Sequence, residues 1–142
     1  MVRCWRSLTL GPLYAVVDED DDYHSVARAT LERAELRLVI PALVVAEVTY
    51  MVGRRLGPSL EADFLRGLEG FDVHGPAPED FLRMADLVEQ YGDFPLGGTD
   101  ASVIALAERL GTHAVVTFDR RHSAAVRPQH CRVLYLLPES IG

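Results

Sequence analysis

The chain has 142 residues, the size of one ordinary domain, and with 49% apolar residues it can bury a substantial core. A net charge of −7 argues against broad electrostatic attraction to nucleic acid, though not against a local basic lip. Two cysteines, Cys4 and Cys131, are too few and too far apart for a disulfide framework and fit a reducing cytoplasm.

In chain order, residues 1–17 place early arginines before an apolar stretch, a faint signal-peptide shape. The Gly11-Pro12 break and the missing small-residue cleavage site read against it. No apolar run is long enough to span a membrane. Residues 7–13 read as a strand end turning into a helix at Gly11-Pro12, and residues 13–17 open a short helix. The acidic run 18–22 draws the eye as a metal site, but it reads as a solvated loop between two helices, one acid capping the next. A second helix spans residues 23–33, with Val26, Ala27, Thr30 and Leu31 on one face. Residues 36–40 are short and β-branched and end at Pro41, the mark of a strand. Residues 42–56 and 58–68 predict two helices, with Pro58 in the first turn of the latter. Residues 71–73 are a short strand candidate. Residues 78–91 form an amphipathic helix closed by Gly92. A further helix spans 100–110, before Gly111. Residues 113–118 and 132–136 are strands. Strands separated by helices predict an α/β domain covering residues 1–142, with a mostly parallel central sheet flanked by helices. Ligands of such sheets bind outside the carboxyl ends of the strands, which gives weight to acids located there.

Three acids stand out, each at an element boundary or in an apolar context. Glu47 is the only charge in the run 39–52, where a carboxylate is costly unless paired, protonated or bound to a cation; the alternative is a helix whose one polar face carries Glu47. Asp100 opens an apolar helix after Gly97-Gly98-Thr99, where Thr99 or Asp100 could equally be a helix cap. Asp119 directly follows the strand 113–118, where it is either a turn residue or a site residue. Several carboxylates converging on one cleft stay ionised together when a hard cation compensates them, and Mg²⁺ or Mn²⁺ fits oxygen ligands. That leads to metal-assisted hydrolysis of a phosphodiester. Other chemistries do worse. No two of the five histidines have zinc-helix spacing, and neither a phosphate-cradling Gly-rich loop nor a Gly-x-Ser-x-Gly elbow is present. A phosphoreceiver switch would need a late lysine, and the chain contains no lysine.

The stretches 11–24, 40–48, 96–107 and 115–122, in this order and spacing, resemble the PIN-domain proteins, and specifically the VapC-type ribonuclease toxins of type II toxin–antitoxin systems. The resemblance covers nearly the whole chain. It implies a PIN-like three-layer sandwich and a Mg²⁺ or Mn²⁺ site made by Glu47, Asp100 and Asp119. It also implies endonucleolytic RNA cleavage, a homodimer, and a VapB-type antitoxin partner. Arg120, Arg121, Arg127 and Arg132, with Arg54 and Arg55, could form a basic lip for phosphates. One departure matters. The family usually carries an Asp followed by a hydroxyl residue before Gly-Pro, and here those positions hold Thr9 and Leu10. Upstream, residues 3–7 read as a poor buried strand. If Ser7–Leu10 were encoded TCA-TTG-ACA-CTG, reading two bases later would give Ile-Asp-Thr, so a local slip of reading frame would account for both departures. The expected function is a metal-dependent endoribonuclease toxin impaired at Thr9; the alternative is a non-catalytic PIN-like module that binds antitoxin or RNA.

Overall fold

At the centre of the sheet lies β1 (Trp5–Leu8), flanked by β2 (Arg37–Pro41) and β4 (Ala114–Val116), with β3 (Asp72–His74) and β5 (Tyr135–Leu137) at the edges. The structure, a computed structural model, describes residues 5–140. All four strand pairings are parallel and the order is β3-β2-β1-β4-β5. The chain moves outward from β1 through β2 to β3, then returns to the other side for β4 and β5. The order therefore reverses between β1 and β4, and there a crevice opens at the carboxyl ends of the strands.

The central strands explain their own positions. β2 runs Leu38-Val39-Ile40 and β4 Ala114-Val115-Val116, all buried, as strands covered on both faces require. β1 is less suited: it carries Arg6 and Ser7, and Ser7 and Leu8 are fully buried. The expectation of a poor strand at residues 3–7 is thus corrected from Trp5 onward, while Arg3 and Cys4 lie outside the described residues. The ladder bonds belong to the backbone, and two strong neighbours impose the extended state on a segment of weak propensity. A cost remains in the Ser7 hydroxyl, which is buried with no hydrogen-bond partner.

The helices alternate with the strands. α1 (Leu10–Val17) starts three residues earlier than expected, because Gly11 and Pro12 lie within its first turn, where a missing N–H is harmless. α2 (His24–Leu31) follows the acidic loop. There Asp18 accepts hydrogen bonds from the Tyr14 hydroxyl (2.7 Å) and the Asp20 N–H, and Asp21 accepts from the Tyr23 N–H. These are local turn bonds, so the acids shape the loop and none caps α2 through its side chain. Burial and the acceptor Asp18 hold the Tyr14 phenol above its ordinary pKa, against the opposing pull of Arg55, and keep it a donor.

α3 (Ala42–Leu56) buries Val44, Val48 and Val52 at four-residue spacing, and Gly57 at φ 93° turns the chain into α4 (Pro58–Gly67). α5 (Asp80–Gln90) packs on α6 (Gly98–Leu110). Two ion pairs tie these helices, Arg83–Glu108 at 2.8 Å and Arg109–Asp80 at 2.9 Å. The Glu108 carboxylate raises the Arg83 pKa above its ordinary value. All seven residues 101–107 of α6 are buried, since the helix lies across β1 and β2 and is covered by α5. Gly111, at φ 66°, ends α6 in the left-handed conformation. α7 (Arg120–Ala125) follows β4 directly. β3 and β5 lie slightly downstream of expectation, and Gly92 does not cap α5 in the left-handed conformation. No helix among the described residues is long and apolar enough to cross a membrane.

Replacing Ser7 with Ala removes a buried hydroxyl that has no partner. Urea unfolding of the Ser7→Ala chain is expected to show a stability gain of about 1 kcal/mol at unchanged m-value. A loss would mean that the hydroxyl is satisfied in solution.

Candidate active site

The crevice at the β1–β4 reversal is a cavity of about 260 Å³. Its polar lining is Thr9, Glu47, Thr99, Asp100, Thr117 and Asp119, over an apolar floor that includes Val44, Val103 and Ile104. The three acids singled out in the sequence therefore share one cavity, although they come from three separate elements. None of the acids at 18–22 lines it.

Each position has a local cause. Thr9 is the residue between β1 and α1, in extended backbone (φ −94°, ψ 176°). Both its N–H and its hydroxyl donate to the Val116 carbonyl, each at 3.0 Å. Glu47 lies on α3 between the buried positions Val44 and Val48, which turn inward and leave it exposed at the cavity rim. The expectation of a carboxylate buried in apolar surroundings is corrected here: the run 39–52 is apolar in composition, but helical periodicity gives Glu47 the solvent face.

Asp100 is the third residue of α6, where the helix dipole favours a negative charge. The helix N-cap is Gly97, with no side-chain cap bond. Thr99 does not cap it either. Its hydroxyl instead donates to Glu47 Oε1 at 2.5 Å, linking α6 to α3 across 52 positions of sequence. The Thr99 carbonyl accepts from the Ser102 hydroxyl at 2.6 Å, which fixes the first turn.

Asp119 makes the turn and also faces the cavity. It lines the cavity, and its Oδ1 accepts from the Arg121 N–H at the start of α7 (3.3 Å). Thr117, buried after β4, donates its hydroxyl to the Asp119 carbonyl and holds the turn. Thr99 and Thr117 were not recognised as site residues from sequence. Thr99 stood next to Asp100, but its partner lay on a distant helix; Thr117 carried no signal beyond its place in a strand.

The basic lip is thinner than expected. The Arg120 guanidinium donates to the Pro138 carbonyl and Arg127 to the Ala124 carbonyl. Arg54 lies over the Tyr50 ring and Arg55 over the Tyr14 ring. Arg121, exposed and 3.7 Å from Asp119, is the arginine of that group beside the acids.

The donor set suits a hard divalent cation in kind: three carboxylates, all oxygen, with mutual repulsion that a cation would relieve. It does not form a closed cage. Among the described residues no three His, Cys, Asp or Glu side chains stand close enough to hold an ion by themselves. Such a set matches Mg²⁺, which keeps several waters and takes few protein ligands, the rest coming from substrate phosphates.

Comparison with known proteins agrees with this fold. The sequence pattern of the PIN domain matches residues 12–127. Ribonuclease VapC26 of Mycobacterium tuberculosis is 32% identical over 118 residues, which span 82% of this chain and 87% of that protein. The crystal structure of M. tuberculosis VapC20, a toxin that cleaves the sarcin-ricin loop, superimposes with a TM-score of 0.78 at 16% identity, covering 89% of this chain and 98% of that one. A chain of the VapBC2 complex of Rickettsia felis, solved bound to a promoter DNA fragment, gives a TM-score of 0.67 at 15% identity over 93% and 96% of the two chains. The chain belongs to the PIN domain family.

Thr99 is expected to position the Glu47 carboxylate. Thr99→Ala should weaken Mn²⁺ binding, followed by calorimetry, about tenfold without lowering the melting temperature, while Thr99→Ser should restore it. Equal Mn²⁺ affinity in all three chains would show that the bond does not orient Glu47.

Proposed function

We propose that this PIN-domain chain is the endoribonuclease toxin of a VapBC-type toxin–antitoxin module, a single-domain cytoplasmic protein that hydrolyses RNA phosphodiesters at the cavity described above. The observation that carries the reading is the meeting of Glu47, Asp100 and Asp119 in one cavity at the carboxyl ends of β1 and β4. The likeness to a VapC ribonuclease supports it.

PIN-domain VapC ribonucleases are generally dependent on divalent metals, and the hard oxygen set here suits Mg²⁺ or Mn²⁺. Glu47, Asp100 and Asp119 would hold the ion together with water and substrate phosphate oxygens, since the three carboxylates do not by themselves form a cage. When bound, a cation of this kind supplies charge neutralisation and a more acidic water for attack on phosphorus. The protein's own part is placement. Thr99 fixes one oxygen of Glu47 and leaves the other for a ligand role. The first turn of α6 presents Asp100 where its backbone field favours the charge. Arg121 stands beside Asp119, positioned to meet a substrate phosphate. The apolar floor limits water around the reacting phosphate.

The partners follow the same reading: an RNA substrate, a VapB-type antitoxin and a second copy of the chain. VapBC complexes among the structural relatives support the antitoxin. A specific observation favours a second reading, that of a non-catalytic PIN-like module binding antitoxin or RNA. At the strand-end address where the family usually carries its first acid, this chain has Thr9, whose hydroxyl is engaged by the Val116 carbonyl.

A cleavage assay separates the two. Mg²⁺-dependent cutting of RNA is expected, reduced at least ~100-fold in both Glu47→Gln and Asp100→Asn chains. Absence of cutting together with tight antitoxin binding would establish the module instead. Thr9→Asp adds a fourth carboxylate, and it is expected to raise Mn²⁺ affinity and RNA cleavage roughly tenfold or more. Equal cleavage by the two chains would show that the acid at this address is dispensable.

A further inference from the structure

Beside the acid cavity, and sharing Glu47 with it, lies a second open cavity of about 350 Å³ lined by Ala46, Glu47, Tyr50 and Met51. Apart from Glu47 its walls are apolar or aromatic. Ala46, Glu47 and Tyr50 are exposed on α3, away from the buried Val44, Val48 and Val52, while Met51 is partly buried against the core and forms the inner wall. Tyr50 is one helical turn beyond Glu47 and is 66% exposed, a large apolar ring that neither the core nor another helix covers. One turn further, the Arg54 guanidinium lies 5.9 Å from the centre of the Tyr50 ring. Three features thus run along one helix face: an acid that lines the reaction cavity, a flat ring, and a cation over that ring.

Each feature selects for the same occupant. An exposed ring next to a catalytic cleft gives the flat face of an unpaired base a place to stack. The cation over the ring strengthens stacking and offers a charge to the adjoining phosphate. It does so in a chain of net charge −7, where a positive group on the helix face that carries Glu47 is not part of a general basic surface. A duplex would keep its base faces hidden within the stack, so the ligand is a single strand.

We infer that Tyr50 and Arg54 form a stacking shelf for an unpaired nucleobase of single-stranded RNA, on the nucleotide flanking the phosphate held at Glu47, Asp100 and Asp119. The inference rests on the ribonuclease reading and adds a subsite to it. The shelf makes no part of the acid machinery. It sets where along a strand the phosphate can settle, because the base beside it must be free to leave its own stack.

The test uses the full chain and a fluorescein-labelled RNA octamer of mixed sequence, with Ca²⁺ replacing Mg²⁺ to slow cleavage. Binding is read by anisotropy and molar mass by light scattering. Tyr50→Ala is expected to weaken binding about tenfold at unchanged mass and melting temperature, while Tyr50→Phe and Tyr50→Trp bind like the parent. Octamers with a single abasic nucleotide scanned along the strand give the second arm. At one position the abasic change should weaken binding to the parent and have little further effect on Tyr50→Ala, the coupling expected of direct contact. Parent-like binding by Tyr50→Ala overturns the shelf and leaves the ribonuclease reading standing. A fall in mass accompanying the loss of binding overturns it in favour of a contact between two copies of the chain. If the parent binds none of the octamers, the ribonuclease reading itself fails, and the shelf with it.

Discussion

One carbonyl group sets the geometry of the site. The Val116 oxygen, at the end of β4, accepts both the N–H and the hydroxyl of Thr9, the residue that follows β1. These bonds close the parallel β1–β4 ladder at the point where strand order reverses. Beyond them the two chains must part, β1 into α1 and β4 into the turn at 117–119, and the gap between them is the cavity. α6 crosses β1 and β2 with its first turn over this gap, bringing Asp100 to it. α3 leaves β2 at Pro41 and brings Glu47 to the rim. The acids need no direct contact with one another, because each is fixed by the strand end or helix start that delivers it.

Much of this was legible in the sequence, and the reason is periodicity. The Val-rich runs of β2 and β4, the four-residue spacing of Val44, Val48 and Val52, and the glycine after α6 are local signals with local causes. They fix the α/β alternation, and with it the rule that acids at strand ends share a crevice. Element boundaries were less legible. Gly11-Pro12 reads as a turn by composition, yet it lies inside the first turn of α1 because the helix begins as soon as β1 releases the chain. The environment of Glu47 was misread for a related reason. Composition counts neighbours in sequence, whereas a helix sorts them by face, and the face of Glu47 is shared with Ala46 and Tyr50. The hydrogen bond from Thr99 to Glu47 could not be read at all, since it joins residues brought together only by tertiary packing.

The centre of the sheet is where local and global preferences disagree. A strand between β2 and β4 is covered on both faces and calls for apolar residues throughout. β1 brings Ser7, whose hydroxyl is buried without a partner, and is followed by Thr9 where the family usually has an acid. These two departures are two residues apart and fall within Ser7–Leu10, which would read Ile-Asp-Thr in a shifted frame only if encoded TCA-TTG-ACA-CTG. Among the described residues β2 and β4 are apolar and buried as their places require, and of the three central strands β1 is the one that carries a buried hydroxyl without a partner.

Thr9 also changes the balance of forces in the crevice. A carboxylate at this address would add a fourth negative charge to Glu47, Asp100 and Asp119, and it could not donate the side-chain hydrogen bond that the Val116 carbonyl receives. In the absence of a cation, four acids around one small cavity repel one another more than three do, and the fold bears that cost. The hydroxyl removes one source of repulsion and supplies a bond across the β1–β4 seam. In the metal-site reading proposed above, the residue that supplies one ligand fewer also relieves the metal-free fold. On that reading stability and metal binding pull in opposite directions at this single position, as they do wherever a protein holds like charges together for the sake of an ion.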